Sequence, residues 1–311
     1  MRTYRILSLD GGGLRGLITA RLLQRLSDEM DNAAWIKQAD LIAGTSTGGI
    51  LALGLAHGKT PAEMADLYIE SGAKIFDDSI WDDIRDIGKL VGADYSNRVL
   101  KRLLKKMFSD TTLSQLSNKV VVPVFDLDNE AADPSKRTWK PKIFHNFTGS
   151  DSDGAARAAD VALYTSSSPT YFPSADGYID GGVFANNPSM VAVAQAISNQ
   201  NIPAERAKLS EIVMLSVGTG LSLKYIRGKS LDWGYAQWAK PLIDILMDGV
   251  AGISDYQSNQ LLGEKYRRLQ IIFDTHESIK IDDVKKLPRM DEIASQHDLS
   301  PTKQWLNEHW L

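Results

Sequence analysis

The sequence has no cysteine. That excludes disulfides, thiolate metal sites and a cysteine nucleophile, so a small disulfide-stapled scaffold is ruled out. Long apolar runs are missing too: no stretch approaches the 18 apolar residues that mark a membrane-spanning helix. The start, Met1-Arg2-Thr3-Tyr4-Arg5, leads straight into Ile6–Leu9 and is cut short by Asp10, without the apolar core and small-residue cleavage site of a signal peptide. A soluble, cytoplasmic protein is expected. Nor is there a strong excess of one charge. Lys and Arg number 35 against 39 Asp and Glu, a net charge of −4. Such a chain has no global attraction to nucleic acid or anionic membranes, and either partner would need a local basic patch. No nucleic-acid partner is expected.

What is present is the balance of a globular protein: 311 residues, 43% apolar and 24% charged, enough to bury a sizeable core. No repeat, low-complexity segment or domain boundary interrupts it, so residues 1–311 are expected to form a single domain. Strand-like runs at Tyr4–Leu9 and Leu41–Ala43 each lead through glycines into a helical pattern: first Leu17, Ala20, Leu23 and Leu26, then Ile50–Ala56. Strand, glycine loop, helix, twice over, argues for parallel strands with helices on the faces. Further strands are expected at Val120–Phe125, Lys142–Phe147, Ile212–Val217 and Leu269–Phe273. Helices are expected at Arg98–Phe108, Gly154–Tyr164, Ser189–Ser198, Pro241–Asp248 and Met290–Trp310, and one after Pro61 with Thr60 as cap. Asn129–Pro141 reads as a loop or hairpin tip.

Three motifs carry chemistry. Gly44-Thr45-Ser46-Thr47-Gly48 fits G-x-S-x-G, in which a serine sits on a tight strand-to-helix turn and small residues let the two elements approach. An apolar strand before it and an apolar helix after it separate this pentapeptide from an ordinary small-residue turn. Asp10-Gly11-Gly12-Gly13-Leu14-Arg15-Gly16 follows the first strand and opens the first helix. Its glycines can aim backbone N–H groups at an anionic oxygen, either as an oxyanion hole or as a phosphate cradle, since Gly11, Gly13 and Gly16 also satisfy G-x-G-x-x-G. A dinucleotide site needs an acidic residue at the end of the second strand. Here that strand ends in the Ser46 turn, and Asp40 lies at its beginning. The third motif, Tyr178-Ile179-Asp180-Gly181-Gly182, sets a carboxylate between a short apolar run and two glycines.

A serine hydroxyl needs a base. None of the five histidines, His57, His145, His276, His297 and His309, sits in a glycine-flanked turn. His57 lies about three helical turns past Ser46, roughly 16 Å along the axis. His145 and His276 lie near strand ends without other support. Asp180 is therefore the candidate base. A free aspartate, with a pKa of about 3.9, is a poor base at neutral pH, and partial burial would raise its basicity.

Taken together and in this order, the three motifs resemble those of the patatin family of lipid acyl hydrolases. The likeness extends to Thr165-Ser166-Ser167-Ser168-Pro169-Thr170-Tyr171-Phe172-Pro173 and Leu215-Ser216-Val217-Gly218-Thr219-Gly220, and covers nearly the whole chain. The resemblance implies an α/β fold of three layers, α/β/α, with a mainly parallel central sheet. It implies Ser46 as nucleophile and Asp180 as general base, without metal or other cofactor. The amides of Gly11, Gly12 and Gly13 would form the oxyanion hole, with Arg15 supporting that loop and Gly44, Gly48, Gly181 and Gly182 supporting the serine and aspartate turns. The substrate would be an acyl ester of a glycerolipid or simpler lipid. Transfer to an alcohol instead of water, a nucleotide-binding protein using Gly11–Gly16, and a storage protein with a vestigial site are the alternatives; the intact motifs speak against the last.

A lipid hydrolase must reach an interface. Arg98–Phe108 sets Arg98, Lys101, Arg102, Lys105 and Lys106 among Val99, Leu100, Leu103, Leu104, Met107 and Phe108. That composition suits transient contact with an anionic membrane surface, and equally a surface helix with its leucines in the core, the commoner arrangement. Trp233, Tyr235 and Trp238 are placed either to line or rim an acyl pocket or to pack as core.

Overall fold

The computed structural model describes residues 2–30, 34–76, 93, 95–274 and 276–311, with the side chains of residues 235, 236, 239, 240 and 243 excepted. Seven strands form one mixed sheet in the order β4-β3-β2-β1-β6-β7, with β5 also on β3. They are β1 (Tyr4–Leu9), β2 (Leu41–Gly44), β3 (Lys119–Asp126), β4 (Lys140–His145), β5 (Tyr178–Asp180), β6 (Ile212–Val217) and β7 (Tyr266–Leu269). The β1–β2, β2–β3, β1–β6 and β6–β7 pairs are parallel; β4 and β5 run antiparallel to β3.

The central strands are apolar at nearly every position because both faces are covered. Leu7, Leu9, Ile42, Val120, Val122, Val213 and Leu215 point into one core. The alternate residues Tyr4, Ile6, Leu41, Ala43, Val121, Ile212 and Met214 point into the other. The first face carries α1 (Gly16–Glu29), α2 (Thr47–Ala56), α3 (Pro61–Phe76), α4 (Arg98–Phe108), α5 (Ala158–Thr165) and α9 (Leu287–Gln296). The second carries α7 (Ser189–Ala196) and the end of α8 (Tyr235–Leu262), with the short α6 (Gly182–Ala185) leading into α7. This is the three-layer α/β/α arrangement. All ten residues of α2 are buried, as an apolar helix without a polar face must be. At α3 the Thr60 hydroxyl accepts the Glu63 N–H while Glu63 accepts the Thr60 N–H, a reciprocal cap.

Several boundaries differ from the sequence-based ones. The C-terminal helix is broken: the Asp298 carboxylate accepts the Ser300 N–H, and Pro301 starts α10 (Ser300–Trp305), which passes into a π turn, Leu306–Trp310. The helix around Pro241 runs far beyond Pro241–Asp248, because it is capped upstream at Gly234 by Gln237 and Pro241 falls within its early turns. The strand β4 starts at Lys140, opposite Asp126. The strand β7 ends at Leu269, where its partner β6 ends, leaving Ile272 a lone bridge to Leu221. The segment before α5 forms turns up to Arg157.

Candidate active site

The serine turn lies at the carboxyl end of β2. Ser46 has φ 55° and ψ −124°, a conformation that costs a non-glycine residue about 1–3 kcal/mol. Two contacts enforce it. A Cβ on Gly44 would lie 2.0 Å from the Gly48 carbonyl oxygen, and one on Gly48 would lie 2.2 Å from the Leu9 carbonyl oxygen, so only glycine lets strand and helix close on each other. The Ser46 N–H donates to Thr165 Oγ1 at 2.9 Å, and that hydroxyl donates to the Pro123 carbonyl at 2.7 Å. Ser46 does not cap α2 with its hydroxyl, which leaves the oxygen facing the cleft at the positive end of the helix.

Asp180 reaches the same spot from another direction. Residues Lys119–Val121 of β3 pair with β2, and residues Val124–Asp126 of the same strand pair with β5. Between them lies Pro123, which has no N–H to offer either neighbour. One edge of β3 thus holds two short strands end to end, and the serine turn and Asp180 meet in the gap. A Cβ on Gly181 would lie 2.2 Å from the Pro123 carbonyl oxygen. The Asp180 N–H donates to Ser167 O at 3.0 Å, and its Oδ1 accepts the Gly182 N–H at 2.7 Å. Burial pushes the carboxyl pKa up to about 7, while the neighbouring Ser46 hydroxyl and the Gly182 N–H favour the ionised form. Ser46 and Asp180 are 7% and 2% exposed.

The glycine loop closes the third side. The Gly11 N–H is committed to the Asn186 carbonyl at 3.0 Å, and Leu14 N–H donates to Ile281 O at 2.7 Å. Among the described residues no hydrogen bond engages the N–H of Gly12 or Gly13, and both residues line the cleft with Ser46. The expectation of three glycine donors narrows to these two, because Gly11 serves to tie the loop to the α6–α7 connection. Gly13 has φ +58°, accessible to glycine without strain. Arg15 supports the loop through its own N–H, which donates to Gly12 O at 3.2 Å. Burial lowers the pKa of its guanidinium, partly offset by Asp248 and Asp244 of α8. Asp10, just before the glycines, is buried and takes a two-pronged hydrogen bond from Arg268 of β7, which also donates to Ser216. Arg268 stands in β7, just before the stretch Leu269–Phe273 expected as a strand, so its role was invisible in the sequence. Thr165 was visible only as the first residue of the Thr165–Pro173 stretch.

Ser46, Asp180, Gly12 and Gly13 share one cleft. Its walls are apolar: Ile50 from α2, Leu67 and Ile75 from α3, Leu100 and Leu104 from α4, and Phe172. The leucines of α4 therefore face inward while Lys101, Arg102, Lys105 and Lys106 are exposed. That orientation matches the surface-helix alternative. Among the described residues no histidine lines the cleft. His57 packs on Phe108, and His145 is buried beside Asp151. Trp233 and Trp238 touch edge to face, 5.1 Å apart, and are not among the cleft residues; the Tyr235 side chain falls outside the described residues. Among the described residues no group of three or more His, Cys, Asp or Glu is arranged to hold a metal ion, and no helix is long and apolar enough to cross a membrane.

A model of the patatin-like phospholipase family matches residues 7–193. The chain is 28% identical to the putative sporulation hydrolase CotR of Bacillus subtilis, over 100% of this chain and 99% of the relative. It is 30% identical to a cGAMP-activated phospholipase of Pseudomonas aeruginosa, over 93% and 83% of the two chains. It is 28% identical to patatin-like protein 4 of Arabidopsis thaliana, over 91% and 81%. Among solved structures, VipD from Legionella pneumophila aligns with a TM-score of 0.43 at 13% identity, over 99% of this chain and 67% of VipD.

Proposed function

Since the chain belongs to the patatin-like phospholipase family, a family of lipid hydrolases, we propose that it cleaves acyl esters of glycerolipids through an acyl-Ser46 intermediate with Asp180 as general base. The observation that carries this reading is the Ser46 hydroxyl beside a buried carboxylate whose pKa is pushed up to about 7, both lining one apolar cleft. An aspartate of ordinary pKa would hold almost no affinity for the serine proton; one near neutrality can take it.

As Ser46 Oγ attacks the ester carbonyl carbon, its proton passes to Asp180. The carbonyl oxygen becomes an oxyanion within reach of the Gly12 and Gly13 N–H groups, preorganised before substrate arrives. The C–O bond to the glycerol side breaks, and the leaving alkoxide takes the proton from Asp180. Water then enters, Asp180 removes one of its protons, and the hydroxide equivalent attacks the acyl-Ser46 carbonyl. The serine leaves with the proton, and a free fatty acid is released. The apolar wall accounts for the acyl group as the recognised part.

The test is p-nitrophenyl butyrate hydrolysis by wild type, Ser46→Ala and Asp180→Asn, with and without EDTA. Loss of about a thousandfold or more in both variants, with no effect of EDTA, is expected. Activity that survives Asp180→Asn would send the search for a base elsewhere. Activity abolished by EDTA would replace the dyad with a metal.

A further inference from the structure

The helix α8 carries apolar residues on its exposed face, while its buried face holds two serines as well as Leu262. Its buried face against α7 holds Ser254 and Ser258, 6% and 0% exposed; the Ser254 hydroxyl accepts the Met190 N–H. Five of its large hydrophobic residues stand in solvent: Leu242, Ile245, Leu246, Ile253 and Tyr256 are 43%, 44%, 53%, 51% and 61% exposed. Their spacing, i, i+3, i+4, i+11, i+14, puts them on one stripe of the helix, about 21 Å long. A surface helix ordinarily does the reverse, and an apolar stripe of this length on one element marks an interaction site.

The stripe leads into the cleft. Asp180, Met247 and Ile281 line both the cleft and a neighbouring depression of about 650 Å³ whose other walls include Val183 and Leu246. The Lys224 ammonium, 2.7 Å from Asp244 of α8, holds alongside it a segment in which Leu223 and Tyr225 are 59% and 80% exposed. Leu246 of the stripe thus shares the depression with Asp180, with Asp244 at its edge.

We infer that the exposed stripe of α8 is the face on which this protein docks on a lipid surface, delivering lipid from the bilayer into the cleft; this rests on the reading of the cleft as a lipid-ester site. A second copy seated on the stripe would stand across the depression that opens from Asp180, whereas a bilayer there supplies substrate. The helix carries Asp244, Asp248 and Asp255 against Lys240 alone, so insertion of apolar side chains, not attraction to anionic headgroups, drives the docking. Tyr256, with an apolar ring and a polar tip, suits the headgroup boundary. The occupant is therefore a zwitterionic membrane, bound in a salt-insensitive way.

The experiment is flotation of the full chain with phosphatidylcholine vesicles, at low and high salt, comparing wild type, Ser46→Ala, Ile245→Gln/Ile253→Gln and Tyr256→Gln. Glutamine keeps helix propensity, and none of these α8 positions lines the cleft. Wild type and Ser46→Ala should float equally at both salt levels. The double variant should lose at least about tenfold in partitioning and in hydrolysis of vesicle lipid, as expected for two isoleucines kept out of the membrane, and Tyr256→Gln less. Butyrate turnover should stay within about twofold. Wild type that stays in solution, a double variant that floats like wild type, or a wild-type dimer that the double variant dissociates would each overturn the docking. Flotation lost in the double variant while no ester is cleaved by wild type would keep the docking and discard the esterase reading. Ser46-dependent butyrate cleavage without flotation would do the opposite.

Discussion

At the scale of single residues, the site depends on groups held where water would not have put them. Asp180 is the clearest case. Its pKa of about 7 in the folded chain stands above the 3.9 of an unfolded aspartate. The proposed base must be ionised, so kcat/KM on a soluble ester should fall as pH drops through about 7, with a slope of one proton, and a profile flat down to pH 5 would exclude Asp180 as the base. Stability runs the other way. Between roughly pH 4 and 7 the folded chain holds a proton that the unfolded chain has released, so stability declines as pH rises through that window and stays lower above it. Asp180→Asn removes that penalty. It should raise the melting temperature at pH 8 and leave it nearly unchanged at pH 4, while activity is lost. Thr165 acts at the same scale. Thr165→Val strips the Ser46 N–H of its acceptor and the Pro123 carbonyl of its donor, each at a cost of about 1–3 kcal/mol. A lower melting temperature and a kcat reduced by about tenfold or more are expected, with Thr165→Ser restoring both.

At the scale of elements, the arrangement of β2, β3 and β5 is what joins the motifs. Pro123 divides one edge of β3 between two strands, and Gly181 lets β5 lie against it. The sequence displays both the serine and the aspartate motif with unmistakable glycines, because a tight turn or a close approach leaves a local mark. It does not display β5, three residues long, because a strand that short has no period to read. Nor does it say which face of α4 turns inward: the pattern of Arg98–Phe108 is the same for a helix on a membrane and a helix on a core. The structure turns Leu103 toward the cleft. Leu103→Trp should fill that wall, leaving butyrate turnover near wild type and reducing cleavage of a palmitoyl ester by about tenfold or more. Equal effects on both esters would remove α4 from the acyl pocket.

At the scale of the whole molecule, the ends of the chain brace the first strand far from the motifs. The Arg5 side chain donates to the Trp310 carbonyl, and the Trp310 indole N–H to Trp35 O. Trp310 is fully buried against Trp35. Trp310→Ala should cost about 3–5 kcal/mol, seen as a melting temperature lower by roughly 5 °C or more, with butyrate turnover at low temperature close to wild type. The same scale holds the polar pillar beneath the glycine loop, Asp10–Arg268–Ser216, built from β1, β7 and β6. Its members are separated by as many as 258 residues in the chain, and no local pattern connects them.

The division between sequence and structure follows from range. The alternation of strands, glycine loops and helices, the serine turn, the glycine loop and the aspartate were determined by short-range constraints: hydrophobic period and the steric needs of tight turns. They are written in consecutive residues. The tertiary structure alone decided that Gly11 ties its N–H to Asn186 while Gly12 and Gly13 line the cleft, that Asp180 is buried deeply enough to hold a proton near neutrality, and that α8 buries serines and exposes isoleucines. Each of these depends on what distant segments place beside a residue. Desolvation, hydrogen-bond competition and exposure are properties of the packed surroundings, not of the chain's local pattern.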